Sequence, residues 1–393
     1  MTVADHPAVA NPFADLDLAR LRSRTSAKWR YYDEDGLPLW VAEMDAAVAP
    51  PIVAAVTEAL ANGDTGYPMG HACAAAMADF AAERWGWSFD PSTTSAIADV
   101  MTGVTELCRM IGSDGDAIVL TPPVYPPFYA VAKTLGRPVV SAPLDADDRL
   151  DPAMLEAAFA EATAGGRGAI LLLSNPHNPT GTVHTRAELD EVARLARKHG
   201  VRVVSDEIHA PLIMPTSTFV PYLAATDTGP DLAVGSASKG WNLAGFKAAV
   251  VLPGADAAEL LKTLPQRAGG HPGHIGLIAH TAAFVSARPW LDAAIAGVDA
   301  NRHALADLLR EHLPAARYRL PEGTYLAWVD CRDLGLGDDP AAAFLERGRV
   351  GLSSGLMFGD GGGGHVRLNL ATSPEILQEA VSRMASTVET AAA

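Results

Sequence analysis

Five short, almost uninterrupted apolar runs mark the middle of the chain: Ala117–Leu120, Ala169–Leu173, Val201–Val204, Leu232–Val234 and Ala248–Leu252. Strands that are apolar at every position, rather than at alternate ones, belong to parallel sheets covered on both faces. The stretches between them read as helices. One is delimited at both ends: Thr185 and Glu188 form a capping box, Leu189, Val192, Leu195 and Ala196 supply a buried stripe, and Gly200 ends it. Strand, helix, strand in succession is the grammar of an open α/β sheet. From about Pro289 the pattern changes to long Ala/Leu helices with a few alternating strands, among them His365–Leu370. The first 60 or so residues, with Pro38, Pro50, Pro51 and the aromatic Trp29, Tyr31, Tyr32 and Trp40, read as irregular. The fold class is therefore α/β. A large domain over residues 61–288 carries a mostly parallel open sheet covered by helices. Residues 1–60 with 289–393 form a smaller α+β domain. Gly361–Gly364 reads as a flexible loop.

Composition narrows the class. A length of 393 residues fits two domains better than one. Hydrophobic residues at 49% and charged residues at 19% are too apolar a balance for a disordered chain. Thirty Lys and Arg against 46 Asp and Glu give a net charge of −16, which repels a phosphate backbone, so no nucleic-acid partner is expected. No apolar run approaches the ~20 residues of a membrane helix. Met1–Pro12 lacks the basic and apolar regions of a leader, so a cytoplasmic protein is predicted. Cys73, Cys108 and Cys331 are odd in number and widely spaced; they read as reduced thiols, and no metal site is expected.

Polar clusters follow three of the apolar runs. Ser174-Asn175-Pro176-His177-Asn178-Pro179-Thr180-Gly181 comes after the first, Ser205-Asp206-Glu207-Ile208-His209 after the second, and Ser236-Ala237-Ser238-Lys239 after the third. Ligands of open α/β sheets bind at the carboxyl ends of the strands, so the three clusters converge on one site. Only six lysines are present, and Lys239 follows a strand and two serines among apolar neighbours. A lysine so placed can lose its proton and form a Schiff base with a carbonyl, although a solvated lysine is the plainer alternative. A Schiff-base lysine beside a buried acid and anion donors suits pyridoxal phosphate. Asp206 is the candidate acid, against the alternative of a helix cap. Thr102-Gly103-Val104-Thr105, ahead of a helical stretch through Met110, offers free amides to a phosphate. Ser236 and Ser238 add hydroxyls and Lys247 a charge. Tyr125 can stack on a planar ring, or simply pack in the core. The glycines of Gly359–Gly364 satisfy a dinucleotide spacing, but a strand rather than a helix follows them, so that reading fails.

These motifs, with Arg367-Leu368-Asn369, resemble the fold-type I pyridoxal-phosphate enzymes of the class I/II aminotransferase superfamily. Leu37-Pro38-Leu39-Trp40-Val41-Ala42-Glu43-Met44-Asp45, Pro122–Phe128 and Gly323–Trp328 are similar to the cystathionine β-lyase (MalY/PatB-type C–S lyase) branch, over a span from about Lys28 to Leu370. The resemblance implies an aspartate-aminotransferase-like fold and a set of roles. Lys239 would hold the cofactor and move the Cα proton, and Asp206 would pair with the pyridine nitrogen. Asn178 would bond the ring 3-oxygen with His209 beside it, and Tyr125 would stack on the ring. Gly103, Val104, Thr105, Ser236, Ser238 and Lys247 would surround the phosphate. Tyr67 would reach the phosphate and substrate of a second copy in a homodimer, and Arg367 would clamp the substrate carboxylate. Glu43, Ala46, Pro211, Gly240-Trp241 and Lys247 depart from the residues common at those places. The resemblance implies α,β-elimination of a sulfur amino acid to thiol, pyruvate and ammonia. An aminotransferase and a regulatory protein that keeps the fold are the alternatives.

Overall fold

The computed structural model describes residues 10–14, 16–264 and 272–392. Seven strands form the large sheet: β1 (Ser95–Ile97), β2 (Ala117–Leu120), β3 (Val139–Ser141), β4 (Ala169–Ser174), β5 (Val201–Asp206), β6 (Leu232–Gly235) and β7 (Ala249–Pro253). Their order is β1-β7-β6-β5-β4-β2-β3. The strands from β6 to β3 run parallel, and β7 pairs antiparallel with both β6 and β1. The all-apolar runs have a direct cause. Ile170, Leu172 and Val204 face the helix α3 (Val100–Ile111), while Leu171, Leu173, Val201 and Val203 face α4 (Arg186–His199), so neither side of these strands meets water. The capping box of Thr185 and Glu188 opens α4, and Gly200, at φ +68°, closes it.

A second, antiparallel sheet has the order β10 (Ser353–Ser354), β11 (His365–Asn369), β9 (Leu326–Asp330), β8 (Arg317–Tyr318). β11 is not the alternating strand its sequence suggests; Val366 through Asn369 are all buried. The start of the chain is less irregular than its prolines suggest. Helix α1 (Ala27–Arg30) is short, and α2 (Pro50–Ala61) begins on Pro50-Pro51, where the missing N–H groups cost nothing. Leu37–Pro38 pairs with Val350–Gly351, tying this segment to the second sheet. Helix α2 packs on α5 (His274–Ser286). Helix α6 (Arg288–His312) follows and leads to the second sheet. The Gly361–Gly364 turn is tightly packed rather than loose: a Cβ on Gly362 would fall 2.0 Å from Gly355 O, and Gly361 and Gly364 take positive φ. Among the described residues no helix is long and apolar enough to cross a membrane.

Candidate active site

The register of the sheet brings the polar clusters together. Ser174 on β4 is level with Asp206 on β5, and Asp206 with Val234 on β6. Beyond these carboxyl ends lies a cavity lined by Val41, Ala42, Val100, Met101, Tyr125, Ser174, Asn178, Asp206, Ile208, His209, Lys239 and Arg367. The end of β5 supplies the acid, the turn after β6 the lysine, the second sheet the arginine, and the N-terminal segment a wall.

Asp206 is buried, and its carboxylate accepts one backbone bond, from Ile208 N at 3.1 Å. No helix starts there, so the capping alternative fails. Burial pushes its carboxyl up to about 6, against the pull of the Ile208 amide and of Lys239. Lys239 Nζ donates to Ala42 O at 2.7 Å. Burial, with Arg367 nearby, lowers its ammonium to about 8, so roughly a tenth is neutral at pH 7. Arg367 Nη1 donates to Asn178 Oδ1 at 2.9 Å and Nη2 to Trp40 O at 3.0 Å, while its buried Nε has no partner. A buried donor left open is costly unless something completes it, and a carboxylate would. His209 is buried with Nδ1 unpartnered, and burial, with Lys239 and Arg367 close by, holds the ring neutral. Burial raises the Tyr125 phenol, and Asp206 adds to the shift.

The phosphate helix needs a correction. Asp99, not a residue after Thr102, is its cap: Asp99 Oδ1 accepts from Thr102 N at 2.8 Å, so α3 begins at Val100. Gly103 N is already bonded to Asp99 O, and the Thr105 hydroxyl donates to Met101 O. Val104 is buried in the core beneath the sheet. Gly103, Val104 and Thr105 are not among the residues that line the cavity; Val100 and Met101 are, and as the first two residues of the helix their amides have no carbonyl a turn behind them. Ser236 Oγ lies 2.7 Å from Ala248 O and 2.9 Å from Ser238 Oγ, just past the end of β6. Lys247 Nζ pairs with Asp99 at 2.9 Å, at the same helix end. Tyr67 lies outside this lining and is 95% exposed. Sequence reasoning missed the cavity wall of Val41 and Ala42. It also missed Tyr325, whose hydroxyl donates to Ala42 O at 2.9 Å.

Next to Asp206, Glu207 points the opposite way, as strand geometry requires. Its Oε1 accepts from Tyr222 N at 2.7 Å, Ser205 Oγ at 3.1 Å and Asn175 Nδ2 at 3.3 Å. Burial raises its carboxyl from 4.5 to about 7. The folded protein thus holds this proton more tightly than the unfolded chain. The group's stabilising contribution is complete below about pH 4.5 and is lost as pH rises through about 7. The melting temperature of Glu207→Gln should accordingly gain on that of the parent as pH goes from about 5 to about 8, by an amount worth at most on the order of 3 kcal/mol. A constant difference across that range would mean Glu207 ionises normally.

Among the described residues no group of three or more His, Cys, Asp or Glu is placed to hold a metal ion. All three cysteines are buried and unbridged.

The family model for aminotransferase class I and II matches residues 34–384. A Mycobacterium leprae protein provisionally named cystathionine beta-lyase is 50% identical over 95% of this chain and 98% of its own. The Corynebacterium glutamicum cystathionine beta-lyase is 33% identical over 94% of this chain and 98% of its own. Among solved structures, one from Corynebacterium diphtheriae, described provisionally as a PLP-dependent beta-cystathionase, superposes with a TM-score of 0.89 at 32% identity. It covers 95% of this chain and 98% of that one.

Proposed function

This chain belongs to the aminotransferase class I and II family, and from that premise we propose that it is a pyridoxal-phosphate-dependent C–S lyase cleaving a β-thioether amino acid such as cystathionine. The observation that carries the reading is the cavity itself: a lysine amine, a buried carboxylate and an arginine with an open donor face one space. The C–S lyase names of its relatives support elimination over amino transfer.

The residues fit the cofactor. Asp206 has a carboxylate oxygen free of protein donors for the pyridine nitrogen. The Val100 and Met101 amides, the hydroxyls of Ser236 and Ser238, and Lys247 surround the place for a phosphate. Asn178 and His209 would hold the ring oxygen, and Tyr125 would stack on the ring; all three line the cavity. When bound, pyridoxal phosphate supplies an electron-accepting ring conjugated to the substrate's α-carbon. Arg367 holds the substrate carboxylate through Nε and so fixes which Cα bond faces Lys239. The Lys239 amine takes the Cα proton. The electron pair left at Cα then expels the Cβ sulfur, which departs as a thiol, and water converts the remaining three-carbon fragment to pyruvate and ammonia. The homodimer belongs to the same reading. Tyr67 and Met69, 95% and 97% exposed, are large apolar side chains that a second copy would cover, and Tyr67 would complete that copy's site.

Incubation with cystathionine and no 2-oxo acid should release pyruvate and free thiol in equal amounts. Turnover that appears only when a 2-oxo acid is added would replace this reading with an aminotransferase.

A further inference from the structure

Residues 40–46 pass along the cavity, and side chains from distant parts of the chain hold nearly every carbonyl in the segment. Trp40 O accepts from Ser353 Oγ at 2.6 Å and Arg367 Nη2 at 3.0 Å. Val41 O and Glu43 O accept from Asn369 Nδ2 at 2.8 and 2.7 Å. Ala42 O takes Lys239 Nζ and the Tyr325 hydroxyl. Met44 O takes Arg24 and Asn242. Two of these donors, Lys239 and Arg367, are the groups assigned to proton transfer and carboxylate binding.

One fastening lies outside the cavity. Lys28, on α1, is fully buried, with Nζ 2.8 Å from Asp45 Oδ2 and 3.0 Å from Glu43 O. Trp29 Nε1 donates to Asp45 Oδ1 at 2.9 Å, and Asp45 N donates to Ala371 O at 2.8 Å. Neither Lys28 nor Asp45 lines the cavity. A buried ion pair is a weak source of stability, since well-packed apolar residues often serve as well. What an ammonium does here that a methyl cannot is grip a carboxylate and a carbonyl of the same segment, two residues apart.

We infer that the Lys28–Asp45 pair positions the reaction: by pinning Glu43 and Asp45 it sets the Ala42 carbonyl against Lys239 and the Trp40 carbonyl against Arg367. Lys28 is a positioning residue, touching neither substrate nor cofactor. The inference rests on Lys239 being the reacting lysine, as proposed above. Borohydride reduction of the wild-type holoenzyme tests that premise separately, because a label on another lysine removes the functional reading itself.

The test uses the holoenzyme with Lys28→Met/Asp45→Asn, which removes both charges and strands neither. The expected result is a well-folded protein whose kcat on cystathionine falls about 10- to 100-fold, the scale of a small misplacement of reacting groups. Amide hydrogen exchange across 40–46 should quicken. In cofactor-free protein, competitive acylation of Lys239 should shift its half-labelling point upward from about pH 8 as water reaches the amine. Lys28→Arg, which keeps a donor for both oxygens, should recover part of the loss. A folded double variant with parental kcat, KM and Lys239 labelling overturns the inference, whatever its melting temperature. Should the double variant fail to fold, Trp29→Phe decides: a several-fold loss of kcat with faster exchange in the segment supports the inference, and parental values overturn it.

Discussion

Lys239→Ala is expected to lower turnover by about four orders of magnitude or more while leaving the fold intact. General-base transfer at carbon is worth about 10²- to 10⁴-fold by itself, and in the proposed reading the same amine would also anchor the cofactor. Within the cavity no second amine is available to substitute: Arg367 stays protonated, with burial lowering it only to about 10, and His209 is an imidazole, not an amine that could form the same linkage. The fold should survive because the single hydrogen bond of Lys239 goes to Ala42 O, which keeps the Tyr325 hydroxyl. Steady-state pyruvate release and circular dichroism of the purified variant check both halves. A variant within tenfold of the parent would remove Lys239 from the chemistry.

Asp206→Asn is expected to slow exchange of the substrate's Cα hydrogen with solvent on the order of 10³-fold, the loss typical of a preorganised charge opposite a developing one. In the proposed reading, ionised Asp206 would keep a proton on the ring nitrogen, without which the ring would accept electrons poorly. Exchange of a deuterated Cα, followed by NMR, reports this step apart from Cβ–S cleavage. Stability supplies the control. Because burial raises the folded carboxyl from 3.8 to about 6, its stabilising contribution is present below about pH 3.8 and gone above about pH 6. At neutral pH the cofactor-free variant should therefore melt no lower than the parent. Normal exchange would show that Asp206 only completes the Ile208 turn.

Much of the fold was legible because its physics is local. β4 and β5 are apolar at consecutive positions since both faces are covered, and α4 carries its own start and stop in Thr185, Glu188 and Gly200. The polar clusters after β4, β5 and β6 could be placed at one edge for the same reason. The start of α3 was misread, with Thr102–Thr105 placed ahead of the helix rather than inside it. Gly103 is a packing glycine within the helix, whose Cβ would meet Ile97 and Val234 at 3.3 and 3.4 Å, and Asp99 caps the helix ahead of that segment. The carbonyls of Trp40 and Ala42 left no trace in the sequence, since every residue type has a carbonyl. Lys28 was equally hidden: a buried lysine and a solvated one are the same letter, and only its distances to Asp45 and Glu43 separate them.

The fate of the substrate nitrogen tests elimination most directly. With isotopically labelled cystathionine and a 2-oxo acid both present, the lyase account predicts one labelled ammonia for each pyruvate and thiol released, and no label in an amino acid made from the 2-oxo acid. Label recovered in that new amino acid, with ammonia at background, would contradict it.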